Sequence, residues 1–417
     1  MRLLHVISSM DPELGGVCQA VRTIINGLEV RGICSEVVSL DDPDAYWSQI
    51  DSFTINALGP ARGPWHYSEK LIPWLLDNFI RFDTVLLHGL WLYNGYALNR
   101  ALHLFKLQQR VKKTDSIPVP KFFVMPHGML DPYFQHAAGR KLKAWRNQIY
   151  WHLIENKVIR NADGLLFTCE TEQLLARQPF APYRPKREAI VGLGVKEPPP
   201  YTPAMRDAFL ARCPTLENRP YILFLSRIHE KKGVDLLVQA YIKLIQNVSS
   251  TIQRDPEVPA GDACKFSEIL LPALVIAGPG LDTPYGQQIQ HLAAQLSGSI
   301  IHFPGMLVGE AKWGAFYGCE AFVLPSHQEN FGIAVVEALA CNKAVLISNQ
   351  VNIWREIHNV GGGLVNDNTF LGTQYLLEEW CKLSTVEKLV IGERAQIAYQ
   401  NHFAVTLATE KMAAALQ

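Results

Sequence analysis

The chain reads as an α/β protein of two doubly wound domains, each a parallel sheet with crossover helices, facing each other across a cleft. Three observations predict this. Strand-like apolar runs alternate with helical patterns along the chain. A proline-rich break interrupts the alternation near its middle. Finally, 417 residues with 48% hydrophobic content can bury two substantial cores.

The first series of apolar runs covers residues 3–7, 35–40, 84–87, 122–125, 164–168 and 189–191. The break at 192–203, GLGVKEPPPYTP, suits an interdomain linker. A second series follows at 221–225, 273–277, 300–303, 321–324 and 344–347. The expected domains are therefore 1–200 and 201–394. Residues 247–267 mix Ser, Pro, Asp and Gly and read as a surface insertion.

Composition narrows the function classes. Lys and Arg total 39 and so do Asp and Glu, so no global field argues for nucleic acid. The 8 cysteines are scattered without zinc spacing, which favours free thiols in a reducing cytoplasm. No signal peptide and no run of about 20 apolar residues is visible. An Asp-x-Asp sits in the turn Asp41-Asp42-Pro43-Asp44; it reads as a solvated loop, and no metal is assigned.

The strand ends carry the chemistry. In PSHQENFGIAVVEALAC, a buried strand ends at Leu324, and Gly332 opens a segment of good helix formers from Ile333. Glu329 and Glu337 bracket that turn, eight residues apart. At 1.5 Å per helical residue the spacing is roughly 12 Å, the reach from sugar to ribose in a nucleotide sugar. Helix-start amides around Asn330, Phe331, Gly332 and Ile333 suit a diphosphate. In YILFLSRIHEKKGVDLL, Arg227 and Lys232 follow another strand, where ligands of open α/β sheets bind. Two cations there can stabilise a leaving phosphate without a metal.

The amino-terminal half adds three turns. Gly15-Gly16 follows the first strand and lets backbone approach a bulky ligand at a helix start. His88-Gly89 follows 84–87, and His127-Gly128 follows 122–125, with Asp131-Pro132 next.

These five ordered motifs resemble those of the family-4 retaining glycosyltransferases, of the exopolysaccharide and lipopolysaccharide type. The resemblance implies a GT-B fold whose last helix, here 395–417, crosses back onto the first domain. It implies that Glu329 contacts the donor sugar, Glu337 the ribose hydroxyls, Arg227 and Lys232 the diphosphate, and His127 the donor sugar. Gly15 and Gly16 would lie near the donor phosphates, with His88 and Asp131 as acceptor-side candidates. The implied reaction moves a sugar, with retention, from a nucleoside-diphosphate sugar to a carbohydrate or lipid-linked acceptor in bacterial surface polysaccharide assembly. No cofactor or metal is expected. A sugar phosphorylase or nucleotide-sugar epimerase on a similar fold would use the same anion site, and a catalytically silent carbohydrate-binding or scaffolding partner is the alternative from another class.

One further segment, 139–160, reads GRKLKAWRNQIYWHLIENKVIR. Leu142, Trp145, Ile149 and Leu153 form a stripe at spacings of three and four, expected to pack on the first domain. Arg140, Lys141, Lys143 and Arg146 crowd one end, a pattern that also suits peripheral docking on an anionic membrane at its cytoplasmic face.

Overall fold

A computed structural model describes residues 1–49, 51–112, 118–136, 141–216, 219–252, 271–296 and 300–417. Of the expected insertion at 247–267, only 247–252 is described, as the end of the helix Val234–Ile252; the remainder lies outside the described residues. Arg140 is outside them as well.

Two parallel-sheet, Rossmann-like units are present. The first comprises Met1–Gly194 and Val405–Gln417, the second Val195–Ala404. The chain therefore leaves the first unit earlier than the expected 200, and re-enters it later than 395. The local cause is a parallel bridge between Val195 and Ala404, reinforced by the Tyr399 hydroxyl donating to the Val195 carbonyl at 3.0 Å. Residues 395–404 stay in the second unit, and only the helix Val405–Leu416 returns to the first. There it packs on the helix Gly16–Glu29, where a Cβ on Gly27 would fall 2.3 Å from Thr409 Oγ1.

The first sheet has strands β1 (Arg2–Val6), β2 (Cys34–Ser39), β3 (Ile55–Ala57), β4 (Thr84–His88), β5 (Lys121–Met125), β6 (Gly164–Phe167) and β7 (Glu188–Ile190). Their order is β3-β2-β1-β4-β5-β6-β7, every pairing parallel. Both faces are covered: neighbouring Val37 and Val38 enter opposite clusters, one with Met10, Val21 and Ile25, the other with Val85, Phe122 and Leu165. Alternation along a strand makes that division, and burial on both faces is why strands such as β4 and β6 read as near-continuous apolar runs.

The second sheet has β8 (Tyr221–Leu225), β9 (Ala273–Ala277), β10 (Ile301–Gly305), β11 (Ala321–Leu324), β12 (Ala344–Ser348) and β13 (Gly363–Asn366), in the order β10-β9-β8-β11-β12-β13. Two edge strands, β3 and β13, were absent from the sequence reading. They have three and four residues, and most are only half-buried, so neither forms an apolar run.

Each sheet reverses its strand order once, between β1 and β4 in the first unit and between β8 and β11 in the second. Chain leaving neighbouring strands there diverges to opposite faces, opening a crevice beyond the carboxyl ends. The predicted turns follow β1, β4 and β5 in one unit, and β8 and β11 in the other.

The segment 141–161 departs from expectation. It forms a helix Lys141–Tyr150, a π turn Trp151–Glu155 and a helix Asn156–Asn161. Its buried face carries Trp151, Glu155, Val158 and Ile159. The expected packing stripe is exposed instead, with Leu142 at 85%, Trp145 at 68%, Ile149 at 40% and Leu153 at 61%. Aromatic packing explains the inversion: Trp151 stacks on Phe180 at 4.8 Å and meets Trp91 and Tyr183, so the segment turns the Trp151 side inward.

Candidate active site

In the second unit, β8 ends at Leu225 and the chain passes through Arg227 into a single turn, Glu230–Lys232, closed by Gly233 in the left-handed region at φ 65°. A Cβ there would lie 2.3 Å from the Pro325 carbonyl oxygen, so only glycine lets the two loops touch. The His327 amide donates to the Lys231 carbonyl at 2.9 Å, clamping the turn onto the loop after β11.

This clamp brings together two predicted residues 97 positions apart: Lys232 Nζ is ion-paired and hydrogen-bonded to Glu329 Oε2. Burial works to raise the Glu329 pKa, but the charge and hydrogen bond of Lys232, helped by Lys231 and the Asn330 amide, hold it below the ordinary carboxylate value. Glu329 is therefore ionised, and Lys232 enters the site already paired. Arg227, in contrast, is exposed and has no acidic partner among the described residues.

Glu329 lies outside the helix that follows. Its backbone pairs with the chain after β12, donating to Gln350 at 2.9 Å and accepting from Asn352 at 2.9 Å. The helix Ile333–Ala340 starts four residues later behind Gly332 at φ 75°. The helical rise used to space Glu329 from Glu337 thus does not apply across the whole interval. Asn330 Oδ1 meets the Asn352 amide at 3.4 Å, and Phe331 is buried edge-on against Phe403. Glu337 accepts from Lys312 Nζ at 2.8 Å.

Two features were missed from sequence. Lys312, on the helix Gly309–Gly318, reaches Glu337 across 25 positions, which no local pattern encodes. The loop Gly278-Pro279-Gly280 after β9 packs backbone to backbone on residues 226–228: the Ile228 amide donates to Pro279 at 2.8 Å, and a Cβ on Gly278 would lie 1.9 Å from the Ser226 carbonyl oxygen. Its glycines directly after an apolar run were the available signal.

In the first unit, Gly15 has φ 99° at the start of the helix Gly16–Glu29, with open space around its Cβ position. Asp42, Pro43 and Asp44 are exposed, as a solvated loop requires, but Asp41 departs from that reading. It is buried, with its carboxylate accepting from the Met10 amide at 2.8 Å and from the Ser9 hydroxyl, which fixes the loop after β1. His127 has φ 53°, unusual for a non-glycine residue, and its turn is pinned by Glu172, which accepts from the Gly128 amide, the Thr168 amide and the Thr168 hydroxyl. Asp131 is buried and accepts from the Tyr133 amide at 2.8 Å, capping the short helix Tyr133–His136. His88, expected on the acceptor side, is only 2% exposed and lies between His5 and His127.

Residues 207–369 match the family described as glycosyl transferases group 1. Among curated proteins, the D-inositol 3-phosphate glycosyltransferase of Geodermatophilus obscurus is 29% identical over 195 residues, which are 46% of this chain and 39% of that protein. The protein of that name from Streptomyces scabiei is 30% identical over 47% of this chain and 40% of its own length. The matched part thus spans about two-fifths of these relatives. Solved structures align over the full length. Anabaena HepE in complex with UDP and glucose has a TM-score of 0.69 at 15% identity, covering 100% of this chain and 99% of that one. Sucrose-phosphate synthase from Thermosynechococcus elongatus has a TM-score of 0.66 at 16% identity, covering 99% and 98%. Likeness at this identity is one of fold, and the fold matched is the GT-B fold of two parallel-sheet units.

Proposed function

We propose that this protein is a nucleotide-sugar-dependent, retaining glycosyltransferase whose donor site is built in the unit Val195–Ala404. The observation that carries the reading is the Lys232–Glu329 pair, assembled at the switch point between β8 and β11 with Arg227 in the same loop after β8. Arg227 and Lys232 bind the donor diphosphate and stabilise the charge that grows on it as the bond to the sugar breaks. Glu329 directs hydroxyls of the donor sugar, and Glu337 accepts from the ribose. The acceptor oxygen bonds to the anomeric carbon on the face the diphosphate leaves, and its proton passes to the departing phosphate. The site needs no metal in this reading.

The acceptor we assign is a carbohydrate or lipid-linked carbohydrate of bacterial surface polysaccharide assembly. The exposed apolar stripe Leu142, Trp145, Ile149 and Leu153, interleaved with exposed Lys143 and Arg146, favours the lipid-linked form, because it suits peripheral contact with an anionic membrane. No described helix is long and apolar enough to cross a membrane. The names of the curated relatives add a phosphorylated cyclitol as a second acceptor class for assay.

The deciding experiment is a thermal-shift panel of UDP, GDP, ADP and their sugars, followed by nucleotide release with and without acceptor. A ligand at 100 times its dissociation constant adds about 2.7 kcal/mol to stability. Acceptor-dependent release is expected. A chain that no nucleotide stabilises and that releases none refutes the reading. Release that requires inorganic phosphate instead identifies a phosphorylase.

A further inference from the structure

In the first unit, three imidazoles form a hydrogen-bonded row. His127 Nε2 lies 3.0 Å from His88 Nδ1, His88 Nε2 lies 2.9 Å from His5 Nδ1, and His5 Nε2 lies 3.3 Å from the Ser35 hydroxyl. The rings stack in sequence, with centroids 5.3 and 5.2 Å apart. His5 and His88 are buried at the first sheet's centre, on adjacent strands β1 and β4. His127 is half-buried at the end of the row, and its Nδ1 has no hydrogen-bond partner among the described residues.

We propose that His5 and His88 are positioning residues that hold His127 in its Nε2–H tautomer, presenting Nδ1 as a bare acceptor for a ligand hydroxyl. In the transferase reading that hydroxyl belongs to the donor sugar, and only this identification rests on that reading.

A neutral imidazole has one donor and one acceptor nitrogen. Each interior ring uses both, so the bonds must all run the same way. In one arrangement every Nε2 donates toward Ser35, whose hydroxyl accepts the last bond. In the other, every Nδ1 donates toward His127 and its outer nitrogen carries a proton. The first places all three rings in the tautomer that a neutral histidine side chain intrinsically prefers, and bonds aligned in a chain polarise one another. A charged ring does not compete at neutral pH. Burial lowers the pKa of His5 to about 3 and of His127 to about 4, and His88 lies well below the ordinary value through burial and then its two neighbours. The strained φ of 53° at His127 and the Glu172 clamp on Gly128 keep the terminal ring in register.

Removing His5 reverses the row. In His5→Phe the buried His88 Nε2–H would have no acceptor, and an orphaned donor costs more than an orphaned acceptor. His88 then protonates on Nδ1, donates to His127 Nε2, and the outer nitrogen of His127 gains the proton. His5→Asn supplies an amide oxygen near the position of Nδ1 and restores the original direction.

The test is long-range proton–nitrogen correlation spectroscopy on histidine-labelled full-length protein, without substrate. Wild type should show His127 Nδ1 unprotonated. His5→Phe should shift the His127 tautomer ratio about tenfold or more toward Nδ1–H, and His5→Asn should restore it. A protonated Nδ1 in the wild type overturns the proposal whether or not the variants fold. A ratio unchanged in folded His5→Phe overturns it as well. No donor is present in this measurement, so its failure is distinct from failure of the transferase reading.

Discussion

Glu155→Gln should remove a loss of stability that the first unit otherwise undergoes as the pH rises. The Glu155 side chain is fully buried in the π turn, Oε1 accepts from the Trp91 amide at 2.6 Å, and Oε2 has no partner among the described residues. Burial pushes its pKa from 4.5 to about 8, against a smaller opposing effect of the Trp91 amide. The folded group is thus protonated where the unfolded group is ionised. A raised pKa contributes stability that is complete below 4.5 and lost as the pH rises through about 8. Between pH 5 and pH 9 the loss amounts to about 4 kcal/mol, at about 1.4 kcal/mol per unit. His5, His88 and His127 act with the opposite sign. Their lowered values add stability as the pH rises toward 6.5, and the contribution is constant above it. It is common to both proteins and cancels in their difference. The glutamine amide keeps the acceptor for Trp91 and cannot ionise. Denaturant unfolding followed by tryptophan fluorescence at several pH values should find the variant within about 1 kcal/mol of wild type at pH 5 and markedly more stable at pH 9. Stability curves that stay parallel from pH 5 to pH 9 refute the assignment.

Other outcomes test the donor site and the exposed helix. Glu337→Gln should weaken calorimetric binding of the nucleoside diphosphate by about 1.5–3 kcal/mol, the value of charge-assisted bonds to ribose; unchanged affinity removes that role. Arg227→Ala should lower turnover by about two to three powers of ten, while excess EDTA leaves wild-type turnover intact. Activity abolished by chelation and restored by magnesium would reopen the Asp42–Asp44 turn as a metal site. Replacing Lys143 and Arg146 with Gln should reduce sedimentation with anionic liposomes at low salt, each cation contributing about 1 kcal/mol, without changing donor affinity. Wild-type protein with no preference for anionic over neutral liposomes excludes the membrane contact.

Much of the architecture was legible because parallel strands buried on both faces leave continuous apolar runs, as at 84–87 and 321–324. The same physics put Arg227, His127 and Glu329 in the loops at strand ends, since each lies shortly after such a run. Short edge strands left no run, so Ile55–Ala57 and Gly363–Asn366 were lost. Long-range pairing was equally invisible. His5 looks like a polar interruption of an apolar strand until β4 brings His88 to 2.9 Å, and Lys312 has no local relation to Glu337. The stripe at 142–153 had the right periodicity and the wrong environment, because period specifies a face and the neighbouring Trp151 decided which face was buried.

In the proposed transferase reading, the pairing of both glutamates sets how the donor site works. Lys232 is committed to Glu329 and Lys312 to Glu337, so binding replaces ion pairs rather than filling vacant charges. A diphosphate drawing Lys232 toward itself leaves Glu329 with an unmet acceptor oxygen, and sugar hydroxyls can satisfy it. Likewise, ribose hydroxyls on Glu337 compete with Lys312. In that reading phosphate and sugar recognition are coupled through Lys232, and a nucleoside diphosphate without its sugar has to bear the desolvation of Glu329 uncompensated. Discrimination for the intact donor over the released diphosphate follows from that coupling, which suits a site that must bind one and discharge the other.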